Sequence, residues 1–142
     1  MKSKVLLFLF SLCFFFFDCE SNRHQQGEIL YLNFCASCHM DDGTGLAGNI
    51  PPLAQSDYVS QNQGRLACII RYGMEGEVVV NGKTYQNPMA GIPQLSEFEI
   101  ANIINYVNQA WGNDYGYLPL KAVREGLEGC ENEGNPGTIS NE

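Results

Sequence analysis

The last third of the chain carries apolar residues at helical spacing. They are Ile100, Ile103, Ile104, Val107 and Trp111. Positions three and four apart share one face of an α-helix, so the pattern predicts an amphipathic helix with one buried side. Ser96 and Glu99 stand three positions apart just before this stripe, which is the pattern of a capping box and predicts where the helix begins.

Two earlier helices and one later helix follow from the same kind of pattern. The first is expected to start near Gln26 and to end in a cysteine-containing motif, and the second to cover about 61–72 and stop at Gly73. A short terminal helix is expected over 118–127. The glycines and prolines of 41–58 predict a loop wrapped around another part of the structure.

One segment has the pattern of strands. Asn81 and Gly82 stand between β-forming residues, and Asn-Gly is the strongest short-range signal for a β-hairpin. The chain is therefore expected to be all-α, with three to five helices and a small hairpin insertion near residues 77–85.

The N-terminus has the pattern of an export signal. Lys2 and Lys4 precede the apolar run 5–17, which is too short to span a bilayer but has the length of a signal-peptide core. We therefore expect residues 1–18 to be a signal peptide and the mature chain to be periplasmic, or anchored to a membrane and facing the periplasm or cell surface.

Cys19 lies two positions after the apolar segment, at the position of the modified cysteine of a lipoprotein, and residues 19–25 are expected to form a short polar tether. The residues before Cys19 depart from the usual small-residue motif, so an ordinary cut after Ser21 is the alternative.

The 142-residue chain is acidic, with a formal net charge of -8. Loss of Lys2, Lys4 and Asp18 with the signal leaves six basic and fifteen acidic side chains, a net charge of about -9. This balance disfavours nucleic acid and favours partners with electropositive docking surfaces, although solubility alone also explains it.

The candidate chemistry lies in Cys35-Ala36-Ser37-Cys38-His39. Two thiols three positions apart, followed at once by an imidazole, match the pattern for covalent attachment of one haem c, with His39 as an axial iron ligand. A redox dithiol and a zinc site are the rivals. A zinc site needs a fourth ligand, for which the chain offers Cys68, Cys130 or His24.

Cys68 and Cys130 remain once the other cysteines are assigned. In an oxidising compartment such a pair predicts a disulfide. Cys68 lies in an apolar run, so a buried free thiol is the alternative.

The second axial ligand is expected to be a methionine. Met89 lies in a proline-stiffened loop, whereas Met40 directly follows His39 and Met74 has glycines nearby but no evident pocket. His24 lies in the tether and would have to fold back. Arg71, and less directly Arg65 or Lys83, is a candidate partner for a haem propionate, with solvated surface charge as the alternative.

These motifs together resemble the class I (monohaem) c-type cytochromes over residues 26–112. The matching residues are Gly27, Tyr31, Cys35 to His39, Asp42 to Gly45, Pro51 to Leu53, Asn87 to Met89 and Tyr106. The resemblance implies that Cys35 and Cys38 bind haem and that His39 and Met89 ligate iron. It also implies that a carbonyl near Pro51 accepts the other imidazole proton of His39, and that Gly27, Tyr31 and Tyr106 form the crossing of the first and last helices.

The resemblance implies a carrier of single electrons between respiratory or other redox proteins, not an enzyme, although a place as a subunit of an oxidoreductase complex stays open. The alternatives are a five-coordinate haem sensor or peroxidase-like enzyme, and a small zinc- or disulfide-stabilised interaction module. Residues 113–130 are expected to form a C-terminal extension and 131–142 a disordered tail.

Overall fold

A computed structural model describes residues 21–132, with side chains for 24–130. The expected signal peptide at 1–18, the cysteine at position 19 and the expected tail from 133 onward lie outside the described residues. No helix within residues 21–132 is long and apolar enough to cross a membrane.

Helix α1 covers Ser21–Phe34, so it begins five residues earlier than its apolar pattern indicates. The segment expected to be a tether is helical from Ser21 onward. Its residues are polar, so no apolar periodicity marks them, but they include no helix breaker, and the ring of His24 lies edge-on to Tyr106 at 5.2 Å. This packing against a later helix explains the longer α1.

Helix α5, Glu97–Gln109, confirms the strongest prediction from the sequence. Ser96 accepts a hydrogen bond from the Glu99 backbone N–H, and the Glu99 carboxylate accepts one from the Ser96 backbone N–H, which together form the expected capping box. The apolar face of α5 is buried and packs across α1, where Tyr31 is fully buried.

Four shorter segments lie between α1 and the hairpin. Helix α2 is Ala36–His39, α3 is Asp57–Gln61, a 3₁₀ turn covers Gln63–Arg65, and α4 is Leu66–Tyr72. Helix α4 stops at Gly73 as expected, with a positive φ of 85°.

The expected loop over 41–58 therefore ends in the first residues of α3. Ser56, which is buried, caps α3 by accepting a hydrogen bond from the Val59 N–H at 3.2 Å. The described part of the chain has six α-helices in place of the three to five expected, because short helices such as α3 carry too few apolar positions to show a period.

Residues 21–132 include two small antiparallel ribbons. Strands β2, Val78–Val80, and β3, Lys83–Tyr85, make the expected hairpin, and its Asn-Gly turn has positive φ at both residues. Strands β1, Gly73–Met74, and β4, Met89–Ala90, pair with each other in a second ribbon that the sequence pattern does not predict. This second ribbon brings two methionines to facing positions.

Helix α6, Leu120–Asn132, begins two residues later than the helix expected over 118–127 and ends five residues beyond it, so the first two residues of the tail expected at 131–142 are helical. Val123 and Leu127 are buried against the main core. Cys130 forms a disulfide with Cys68 of α4, with the two Cα atoms 6.1 Å apart. The predicted pairing is thereby confirmed, and the extension is covalently joined to the body.

Candidate haem site

A cavity of about 410 Å³ opens beside α2. Most of its surface is apolar, with walls from the loop at 50–53, from α4 and from α5. Cys35, Cys38, His39 and Met89 all line it. Pro51 also lines the cavity. The cavity therefore brings together five of the six site residues that the sequence predicts.

His39 is held by the backbone of the loop opposite. Its Nδ1 lies 3.1 Å from the carbonyl oxygen of Pro51. A carbonyl can only accept, so Nδ1 carries a proton, and in the neutral ring Nε2 then keeps a free lone pair. Burial lowers the pKa of His39, while the Pro51 hydrogen bond opposes that shift. The hydrogen bond thus orients the imidazole and burial favours its neutral form, which is the form that ligates a metal.

The two thiols of the motif differ in exposure. Cys35 is buried and Cys38 is exposed, and both are free. Burial, and secondly the charge of Cys38, raises the pKa of Cys35 to about 11. Redox-active dithiols have lowered pKa values, so this environment argues against the dithiol hypothesis.

The three candidate methionines occupy different places. Met89 and Met74 line the cavity, and Met40 is not among the residues that line it. The Met40 carbonyl instead accepts a hydrogen bond from the Tyr31 hydroxyl at 2.6 Å. Met74 was expected to have no pocket, and that expectation is wrong, because its pairing with Met89 places it at the cavity.

Arg71 is the site residue that the structure does not bring to the cavity lining. Its guanidinium donates a hydrogen bond to the Pro93 carbonyl at 2.9 Å. This contact fastens α4 to the loop that follows Met89. Contact of Arg71 with a haem propionate stays a prediction. His24 likewise stands outside the lining, against Tyr106.

Tyr58 is a cavity residue that the sequence analysis missed. It lines the cavity beside the hairpin, and its hydroxyl donates a hydrogen bond to the Met74 sulfur at 3.6 Å. No sequence signal marks it, because the contact joins the start of α3 to β1 across the fold.

The donor set fits a covalently bound haem. Two free thiols and an oriented imidazole stand at one wall of an apolar cavity, and thioethers stand in the lining as well. The zinc hypothesis fits less well, since the disulfide commits Cys68 and Cys130 to each other and neither can be the fourth ligand.

The cytochrome c family model matches residues 24–111. The chain therefore belongs to the cytochrome c family, as a class I monohaem c-type cytochrome with one covalently attached haem c. It is an electron carrier and not an enzyme, which confirms the expectation from the sequence.

Two kinds of relative are similar to this chain. Cytochrome c-552 of Thermus thermophilus is 36% identical over 95 residues, which cover 62% of this chain and 72% of that protein. The cytochrome c subunit of the quinone alcohol dehydrogenase of Gluconobacter oxydans is 35% identical over 98 residues, covering 67% of this chain but only 20% of that subunit. The corresponding subunit of Komagataeibacter europaeus is 32% identical, with 19% of its length covered.

Proposed function

We propose that this chain is an exported electron carrier that moves single electrons between redox proteins, with Cys35 and Cys38 binding the haem and His39 and Met89 ligating its iron. The main support for this proposal is that all four side chains line one apolar cavity. A haem bound there supplies an iron that accepts and releases one electron, and His/Met ligation favours this role over chemistry on a substrate.

The residues of the chain support this role by orientation and by exclusion of water. The Pro51 carbonyl fixes the His39 ring, so Nε2 is presented without rearrangement. The apolar walls of α4 and α5 exclude water from the site. A low local dielectric and fixed ligands limit the reorganisation that accompanies a change of charge at the iron.

The cavity lining also bears on the alternative of a five-coordinate sensor or peroxidase-like enzyme. Among the described residues, those that line the cavity include one histidine, His39, and no aspartate, glutamate, lysine or arginine. Acid–base chemistry on a bound substrate requires a positioned proton donor or acceptor. The Tyr58 hydroxyl also stands in the lining, but it donates to the Met74 sulfur, so the lining favours a filled coordination sphere and electron transfer.

The redox partners are proposed to have electropositive docking surfaces, because the chain has a net charge of -8. The similarity to cytochrome subunits named for a quinone alcohol dehydrogenase supports a dehydrogenase as one class of electron donor. The similarity to cytochrome c-552 supports a separate carrier as the form of the protein. Lipidation of Cys19 would hold that carrier at a membrane.

The ligation is tested by optical spectroscopy of protein matured with haem-attachment machinery. We expect a reduced spectrum of covalently bound haem and, in the ferric protein, the weak red band that a thioether sulfur gives on iron. Met89→Ala should abolish the red band and retain the covalent haem. Absence of covalent haem in the native chain would refute the proposal.

Met40→Leu is the matched control, because Met40 follows His39 directly but does not line the cavity. This variant should keep the red band. Covalent haem without the band in the native protein would instead favour the five-coordinate alternative. Mass spectrometry of the mature N-terminus separates a lipid-modified Cys19 from a cut after Ser21.

A further inference from the structure

Two thioethers, those of Met74 and Met89, would be able to ligate the iron of a haem bound in this cavity. Met74 and Met89 are directly opposite in the β1–β4 ribbon, and directly opposite residues project on the same face with Cβ atoms about 4.5–5.5 Å apart. Both side chains line the cavity that His39 lines. Their position in the cavity and their thioether chemistry therefore do not decide which of the two methionines ligates the iron.

The surroundings of Met74 and Met89 differ. Met74 packs against the hairpin cluster of Val78, Val80 and Tyr85, and the Tyr58 hydroxyl donates a hydrogen bond to its sulfur at 3.6 Å. Tyr58 packs against the same cluster, so the donor is itself held in place. Sulfur is a weak acceptor, and the hydrogen bond therefore acts together with this packing.

Met89 lies outside that packing. It belongs to neither hydrophobic cluster of the described residues. Its backbone is nevertheless fixed by the pairing with Met74, and by the Ile92 N–H that donates to the Ile70 carbonyl at 2.8 Å. A fixed backbone with a thioether outside both clusters suits a ligand.

We propose that Tyr58 is a positioning residue that holds the Met74 thioether against the hairpin and so leaves the axial position to Met89. This inference rests on the proposed function, since it concerns which methionine ligates the iron. It assigns Tyr58 and Met74 a role in ligand choice, and it makes Met74 a reserve ligand that is released when the Tyr58 hydroxyl is removed.

The test uses the ferric holoprotein in a Met89→Ala background, where the axial position is open. Imidazole is titrated as the external ligand. Met89→Ala should bind imidazole directly, with no red band. Adding Tyr58→Phe should restore the red band through Met74. The apparent dissociation constant for imidazole should then rise about tenfold if Met74 occupies the position nine-tenths of the time.

Two controls isolate the cause. Tyr85→Phe removes a hydroxyl from the same hairpin cluster but leaves the Tyr58 hydrogen bond, so in the Met89→Ala background it should change neither the band nor the imidazole affinity. Adding Met74→Leu to the Met89→Ala, Tyr58→Phe protein should remove the restored band and return imidazole binding to the Met89→Ala value.

The outcomes separate this inference from the proposed function. If Met89→Ala keeps the red band, the role of Tyr58 is overturned, because Met74 then ligates with the Tyr58 hydroxyl in place. Met74→Leu alone decides the native ligand: loss of its band would refute the assignment of Met89, and a retained band would leave that assignment standing. If Met89→Ala loses the band but the added Tyr58→Phe change neither restores it nor weakens imidazole binding, the ligation stands and only the role of Tyr58 is overturned. A restored band that survives Met74→Leu would also overturn that role.

Discussion

Gly27 of α1 faces Tyr106 of α5 so closely that a Cβ atom built on Gly27 would stand 2.7 Å from the Tyr106 Cβ. The carbonyl oxygen of Asn102 would lie closer still to that added atom. The two helices therefore cross at a position where only a hydrogen atom fits, and the Tyr31 and Tyr106 rings pack nearby with their centroids 5.4 Å apart. The crossing expected from the resemblance is confirmed.

Gly27→Ala should therefore destabilise the protein. Alanine favours a helix over glycine by about 0.5–1 kcal/mol, but forcing extra volume into a packed contact costs about 1–3 kcal/mol. The overpacking effect is the larger, so we expect a net loss of about 1–2 kcal/mol in the free energy of unfolding, measured by denaturant titration.

Gly129→Ala is the matched control. Gly129 lies in α6, and a Cβ there would have no heavy atom within 4 Å. Only the helix preference remains, so this change should stabilise the protein by about 0.5–1 kcal/mol. Equal effects of the two substitutions would contradict the crowded crossing.

A buried amide pair predicts a second stability effect. Asn108 is fully buried and exchanges two hydrogen bonds with Gln63, at 2.7 and 3.0 Å, and donates a third to the Gly116 carbonyl. Asn108→Ala removes these three hydrogen bonds from a fully buried position, and at about 0.5–1.5 kcal/mol each we expect a loss of about 1–3 kcal/mol. Thermal and denaturant unfolding of the holoprotein measure this loss. Gln109→Ala, at the exposed next position, should change stability by less than about 0.5 kcal/mol.

The Cys68–Cys130 disulfide predicts a third effect on stability. Its partners are 62 positions apart, and closing a loop of this size stabilises a small domain by about 2–4 kcal/mol. The double variant Cys68→Ala, Cys130→Ala should lose stability in that range. A reducing agent should lower the unfolding temperature of the native protein but not that of the double variant. An effect of the reducing agent on both would place its target elsewhere.

The capping box of α5 predicts a fourth effect, which depends on pH. Hydrogen bonds from the Ser96 backbone and hydroxyl lower the pKa of Glu99. A carboxyl with a lowered folded pKa stabilises the fold above its ordinary value, and the stabilisation is lost as pH falls through the folded pKa. Stability should therefore decline on acidification below about pH 4.3, the ordinary pKa of glutamate.

Glu99→Gln should make that decline shallower, in unfolding curves measured at neutral and acidic pH. Ser96→Ala removes the N-cap acceptor and should cost about 1 kcal/mol near neutral pH. A decline of unchanged steepness in Glu99→Gln would assign the acid sensitivity to other carboxyls.

Features that a few neighbouring residues determine could be predicted from the sequence. The capping box at Ser96, the Asn81-Gly82 turn and the stop of α4 at Gly73 all depend on local backbone preferences, and the structure has each of them. The thiols and imidazole of the haem motif are equally local. The loop placement expected for Met89 is wrong, because Met89 lies in strand β4 and pairs with Met74.

Features that depend on tertiary contacts could not be predicted from the sequence. The β1–β4 ribbon joins two strands of two residues each, too short to carry any alternation pattern. The Tyr58 contact with Met74 and the direction of Arg71 toward Pro93 are set by packing across the fold. The early start of α1 at Ser21 comes from polar residues without an apolar period.

The Cys68–Cys130 bond also turns part of the chain into a covalent ring. Both ribbons and the whole of α5 lie within that ring, and therefore so do Met74 and Met89. Cys35 and Cys38 lie outside it. A protease that cuts once anywhere between Cys68 and Cys130 leaves a single molecule, so the segment with Met74 and Met89 cannot leave the segment with Cys35 and Cys38 after one such cut.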